Sequence, residues 1–145
     1  MNIQIKIGQT PELILESRKI RKEVFFKEQK IPLKLDSDGL DDNSYLAVAY
    51  ANNQVVGTAR LALTGHRKAL LARVAVKKEF RGYGIASKMV NELLLQAEKL
   101  NINTVDIHPH EYLKDFYENF GFIYIEQSKI VGNHQLIRMK KKIIK

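Results

Sequence analysis

At 145 residues the chain has the length of one domain, 1–145, and can bury roughly two-thirds of its unfolded surface. It contains no cysteine, which excludes disulfides, thiolate metal sites and a cysteine nucleophile. The net charge of +8 invites a nucleic-acid reading. Yet Lys and Arg are spread along the chain, and the densest group, Lys140, Lys141, Lys142 and Lys145, reads as a solvated tail. No apolar run approaches bilayer length, and Met1 to Lys6 lacks a signal peptide's apolar centre. The sequence therefore predicts a cytoplasmic protein with no membrane partner, and one for which a nucleic-acid partner is disfavoured.

In chain order, Asn2 to Ile7 predicts a first strand with Ile3, Ile5 and Ile7 on one face. Thr10-Pro11-Glu12 opens a helix: a cap, a residue suited to the first turn, and an acid that complements the helix dipole. Its buried stripe is Leu13, Ser17, Ile20 and Val24, and it runs to about Phe26. Lys27 to Asn43 predicts a long connection carrying Asp36, Asp38, Asp41 and Asp42. Those acids would suit a cationic ligand or a solvated loop. Tyr45–Tyr50 and Gln54–Leu63 predict a hairpin joined by Ala51-Asn52-Asn53, with Gly57 marking a bulge or a close backbone approach. Thr64 to Lys68 is a polar turn.

Leu70 to Ala86 follows, and the rest of the chain is arranged around it. Leu71–Val76 reads as a buried strand and Lys77–Arg81 as a charged connection. Gly82 and Gly84 let the backbone turn and leave amide N–H groups uncovered. A helix from Ile85 to Leu100 carries Ile85, Met89, Val90, Leu93, Leu94 and Ala97 on one face. Its start, with Arg81 beside it, suits a phosphate or pyrophosphate. Asn103–Ile107 predicts a fifth strand parallel to Leu71–Val76. A short helix from about Glu111 to Asn119 stops at Gly121, and Phe122–Glu126 with His134–Lys140 predicts a closing hairpin. This order implies an α/β fold: a mixed, mostly antiparallel central sheet of about seven strands with helices on both faces.

The four histidines, His66, His108, His110 and His134, show no metal-ligand spacing on a helix, and His108-Pro109-His110 is only a faint metal hint. Gly82-Tyr83-Gly84-Ile85-Ala86-Ser87 approximates a dinucleotide-binding turn, with Asp106 about where a ribose-binding acid belongs. Against this, the third glycine is Ser87, and five charged or bulky residues separate strand from turn.

Arg81-Gly82-Tyr83-Gly84-Ile85-Ala86 has the form Arg/Gln-x-x-Gly-x-Gly/Ala. With Arg73-Val74-Ala75-Val76 before it and Phe116-Tyr117-Glu118-Asn119-Phe120-Gly121-Phe122 after it, the chain resembles the GNAT superfamily of acyl-CoA-dependent N-acyltransferases. Ile20-Arg21-Lys22-Glu23-Val24-Phe25-Phe26-Lys27-Glu28-Gln29-Lys30-Ile31-Pro32, with Asp38 and Asp42 after it, resembles a bacterial subgroup with an Arg-x-x-Val-Phe-x-x-Glu-Gln-x-x-Pro segment on one wall of the acceptor cleft.

The resemblance implies transfer of an acetyl group from acetyl-CoA to a primary amine of a small molecule or peptide, directly in a ternary complex, without a metal. It implies that the backbone of Val74, Ala75 and Val76 pairs with the pantetheine arm. Arg81, Gly82, Tyr83, Gly84, Ile85, Ala86 and Ser87 would hold the CoA phosphates. Tyr117 would protonate the leaving thiolate. Glu28 and His108 are candidates for the base that takes the amine's proton. Where the family often has an asparagine after the fifth strand, this chain has His108-Pro109-His110. His134-Gln135-Leu136-Ile137-Arg138-Met139 departs from the subgroup's usual ending. A CoA-binding sensor without turnover, a basic nucleic-acid-binding module and a homodimeric assembly stay open at this stage.

Overall fold

A computed structural model describes residues 2–36 and 38–143. Seven strands form one sheet: β1 (Ile3–Gly8), β2 (Ser44–Ala51), β3 (Gln54–Gly65), β4 (Lys68–Val76), β5 (Thr104–Ile107), β6 (Ile123–Val131) and β7 (His134–Lys142). The spatial order is β1-β2-β3-β4-β5-β7-β6, and every pairing is antiparallel except β4 with β5. The expected architecture is therefore present.

Helix α1 (Pro11–Arg21) starts as its sequence dictates, with Thr10 Oγ1 accepting from the Leu13 N–H at 3.3 Å and Pro11 in the first turn. Leu13, Ser17, Ile20 and Val24 are all buried. The α-helical ladder ends at Arg21, earlier than the expected Phe26. Lys22–Glu28 continues as a wide π-helical segment, closed by Gln29 N–H to Val24 C=O at 3.0 Å. The acidic connection is also more ordered than a long loop, with a short helix α2 (Leu33–Asp36) and a 3₁₀ turn at Asp41–Asn43.

β2 and β3 alternate between two cores. Leu46 and Val48 pack with Leu13 of α1, while Ala47 and Ala49 pack on the other face with helix α3 (Ile85–Lys99). The six residues of the expected α3 stripe are all buried. Asn52 and Asn53, both at positive φ, make the tight turn between β2 and β3. At Gly57 an added Cβ would stand 3.1 Å from the Ala75 carbonyl and from Met89 Cε, so the close approach is real, and the register slips at the adjacent Val56.

The closing hairpin is longer than its apolar pattern suggested. Lys140, Lys141 and Lys142 are the end of β7, in register with β5, and not a solvated tail; Lys145 lies outside the described residues. The apolar alternation through Ile137 and Met139, both buried, carries the lysines into the ladder. Short helix α4 (Lys114–Glu118) precedes Gly121, which takes a φ of +91°.

Candidate functional site

The sheet forks at its centre. β4 and β5 pair from Lys68 with Thr104 to Leu71 with Ile107, and there the parallel ladder stops. Beyond it, β4 stays with β3: Ala72 faces Arg60, Ala75 faces Thr58 and Val76 faces Gly57. The chain after β5 instead stays with β7, through an Ile137 N–H to Pro109 C=O bond at 2.9 Å and a bridge between His110 and Leu136. Residues 72–76 therefore have no strand on one side. Backbone groups there need partners, so an extended polar ligand fits that slot.

A bulge sets the direction of this free edge. The β3–β4 register slips between Thr58 and Arg60, and Arg73 takes a φ of +57°, unusual for a residue with a Cβ. Arg73 is held there by Asp36 at 2.9 Å, by Asp38 at 3.1 Å and by the carbonyls of Leu35 and Asp36. The same acids serve a buried cluster. Arg60, 0% exposed in mid-strand, binds Asp38 at 2.6 Å and Asp41 at 3.2 Å. Arg21, 2% exposed, binds Asp41 at 2.8 Å, Asp36 at 3.1 Å and Ser17 at 3.2 Å. Arg18 adds a further contact to Asp41. Burial pushes the Asp41 carboxyl up, but hydrogen bonds from Arg21 and Arg18 outweigh it and hold the group well below the usual carboxylate range. Asp36, Asp38 and Asp41 are thus taken by arginines, which removes them as a lure for a cationic ligand. The one sequence signal for this cluster is a lone arginine inside the apolar run Val55–Leu63.

The anion loop sits at the open end of the fork. Gly82 (φ +86°) and Gly84 (φ +76°) carry the turn, Gly84 is the residue before α3, and no side chain caps the helix start. A Cβ built on either glycine meets nothing within 4 Å, so this backbone faces open space. Ile85 is buried, anchoring α3, while Ala86 and Ser87 are half-buried and Tyr83 is exposed. Unprotected N–H groups and the dipole's positive end together suit an anion. Arg81 is already engaged. Its Nε donates to the Val76 carbonyl at 2.9 Å, and Nη1 and Nη2 donate to the two Glu28 oxygens at 2.7 Å each. This pairing, with help from Lys78, holds the Glu28 carboxyl below its ordinary value despite some desolvation.

Tyr117, 5% exposed, lies in the same core as Leu71, Ile85 and Ile107, which frame the fork. Phe116 and Phe122 meet its ring edge-on, with centroids at 4.9 and 5.9 Å. Its hydroxyl has no hydrogen bond among the described residues, and burial raises it well above the ordinary phenol value. His108 stands just past the last rung of β5. Desolvation lowers its imidazole, against the pull of Asp106 and in concert with Arg138 and Lys129. Sequence reading did not pair His110 with His134, whose rings lie 4.6 Å apart. Among the described residues no group of three or more His, Asp or Glu could hold a metal ion. An open cavity of about 530 Å³ lies away from the fork, between the second half of α3, Asn119, Phe120 and Lys141 to Ile143.

Known proteins are similar to this chain in sequence and in fold. The chain is 32% identical over 107 residues, 71% of each chain, to the Bacillus subtilis protein BSU40680, which carries an acetyltransferase name. It is 28% identical to Bacillus subtilis YyaT over 97% of both chains. Escherichia coli ElaA superposes with a TM-score of 0.85 at 21% identity, over 97% of this chain and 100% of that one. A Bacillus subtilis acetyltransferase solved in complex with CoA superposes with a TM-score of 0.76 at 16% identity, over 99% and 100% of the two chains. Residues 11–143 match the acetyltransferase (GNAT) domain, so almost the whole forked sheet and its glycine loop fall within that match. By that match the chain belongs to the GNAT family of acetyltransferases.

Proposed function

We propose that the protein is an acetyl-CoA-dependent N-acetyltransferase acting as one domain over 1–145, and that it moves the acetyl group directly to a primary amine of a small molecule or peptide. The observation that carries this reading is the fork: residues 72–76 of β4 keep one backbone edge free, and that edge leads to the uncapped start of α3. The free edge at Val74, Ala75 and Val76 takes the amides of the pantetheine arm, apart from the Val76 carbonyl, which Arg81 Nε already holds. The amides of Gly82 to Ser87 take the pyrophosphate, and Arg81 adds charge. The thioester carbonyl then lies near the apex of the fork, where acceptor and acetyl group meet; positioning alone supplies several kcal/mol of the barrier.

The acceptor must lose a proton, since an alkylammonium with a pKa of roughly 10.4 has no lone pair to attack with. His108 is the better placed of the two candidate bases. It stands just past the last rung between β4 and β5, at the apex of the fork, and desolvation favours its neutral form, whereas both Glu28 oxygens are held by Arg81. Tyr117 protonates the departing sulfur; its raised phenol is fully protonated at working pH. The Arg-x-x-Val-Phe-x-x-Glu-Gln-x-x-Pro segment forms the acceptor wall, and β6, with Ile123, Ile125 and Ile130 exposed, offers an edge for a homodimer. A thiol-release assay tests the central claim. Free CoA thiol should appear only when an amine is added, from a panel of polyamines, amino sugars, amino acids and peptides. CoA binding with no release for any amine class would favour a sensor and overturn turnover.

A further inference from the structure

Arg81, which directly precedes the glycines of the anion loop, already holds an anion of the protein's own. We propose that Glu28 is an internal competitor for Arg81, so that cofactor phosphate displaces it and unfastens the π-helical wall Lys22–Glu28 from the anion loop. This rests on the acyltransferase reading above and deepens it, making Glu28 a positioning residue that acts through Arg81.

The geometry supports exchange of one anion for another. A guanidinium offers two parallel N–H groups, and a carboxylate and a phosphate accept them in the same bidentate way. Glu28 uses both, at 2.7 Å each. Arg81 Nε is tied separately to the Val76 carbonyl, so the side chain keeps its direction when Glu28 leaves. Gly82 and Gly84 follow directly in the chain, so a phosphate on their amides would stand beside the Glu28 carboxylate. Two anions would then contend for one cation. The pair is cheap to break, because both side chains are partly exposed, at 41% and 34%. A multiply charged phosphate ester outcompetes a single carboxylate there. Glu28 belongs to a segment held by wide-turn bonds such as Ile31 N–H to Phe25 C=O at 2.8 Å, so its release reaches the wall that faces the acceptor.

Calorimetric titration of the full chain with CoA tests this. Glu28→Gln should bind CoA about two- to fivefold more tightly than wild type, the size expected for loss of an exposed ion pair. Arg81→Gln should bind more weakly, and Glu28→Gln on that background should change nothing further. Pantetheine, which lacks the phosphates, should bind wild type and Glu28→Gln alike. Circular dichroism confirms that each variant is folded. A structural role for the pair predicts weaker CoA binding in Glu28→Gln, and that result, or an unchanged affinity, overturns the proposal. An equal gain in the Arg81→Gln background also overturns it, since Glu28 would then act by bulk charge. A wild-type protein that binds no CoA overturns both this and the acyltransferase reading.

Discussion

Tyr117 and His108 have opposite tasks and opposite surroundings. Tyr117 packs its ring among Phe116, Phe122 and the fork's core, and nothing among the described residues binds its hydroxyl. Tyr117→Phe should therefore keep the packing and CoA affinity, while turnover falls about 10²- to 10⁴-fold, the usual share of a positioned acid. Turnover within about twofold of wild type would make it a packing residue. His108 must be neutral to accept a proton, and desolvation favours that form. The acid limb of the kcat/KM profile should thus lie below about 6.5, the ordinary imidazole value, with rate rising as pH rises through it. His108→Gln should abolish that limb; an unmoved limb would assign it to another group. These residues were legible only through motif resemblance. The Glu28–Arg81 contact was not legible at all, because its partners stand 53 residues apart and neither is apolar.

Elements were read well wherever burial imposes a period. The α3 stripe is complete because one face of that helix must meet the sheet. Periodicity did not show the fork, since β4 and β5 have ordinary strand sequences; only the family resemblance, with its pantetheine-binding backbone at Val74 to Val76, implied a free edge there, and β7 holding Pro109 and His110 keeps the two arms apart. The glycine loop was legible, and its geometry sharpens the expectation for a variant. Gly84 has a φ of +76° with open space around it, so Gly84→Val meets no clash but forces a branched residue into the left-handed region, at about 1–2 kcal/mol. That is a small part of a domain's stability, so the variant should fold. CoA affinity should drop at least tenfold, about 1.4 kcal/mol, because a side chain now covers the amides. Wild-type affinity in a folded Gly84→Val protein would remove the loop from the cofactor site.

At the scale of the molecule, the arginine–aspartate cluster ties α1, the acidic connection and the sheet together. Asp41 meets Arg18 and Arg21 of α1 and Arg60 of β3. Its carboxyl is depressed on folding, so its stabilisation is present above the unfolded value near 4 and is lost as pH falls toward the folded value. Asp38 and Glu28 shift the same way, Asp38 because Arg60 and the Leu40 N–H outweigh its desolvation. Denaturant midpoints should therefore decline below about pH 4. Asp41→Asn leaves buried guanidinium groups short of charge and should cost about 3–5 kcal/mol at pH 7, with a flatter acid decline. Equal acid slopes in variant and wild type would show that other carboxylates set the acid limit.

The fork has a consequence for self-association. A strand with an unpaired edge normally invites another chain, and proteins hide or blunt such edges at the rim of a sheet. Here the open edge is interior. It begins at the rung between Leu71 and Ile107, where the two arms still pair. An edge flanked by β5 on one side and β3 on the other is reached only from the open end of the fork, so a second chain cannot lie along it as it could along a rim. The protein can thus keep bare backbone at its centre without offering a template for aggregation.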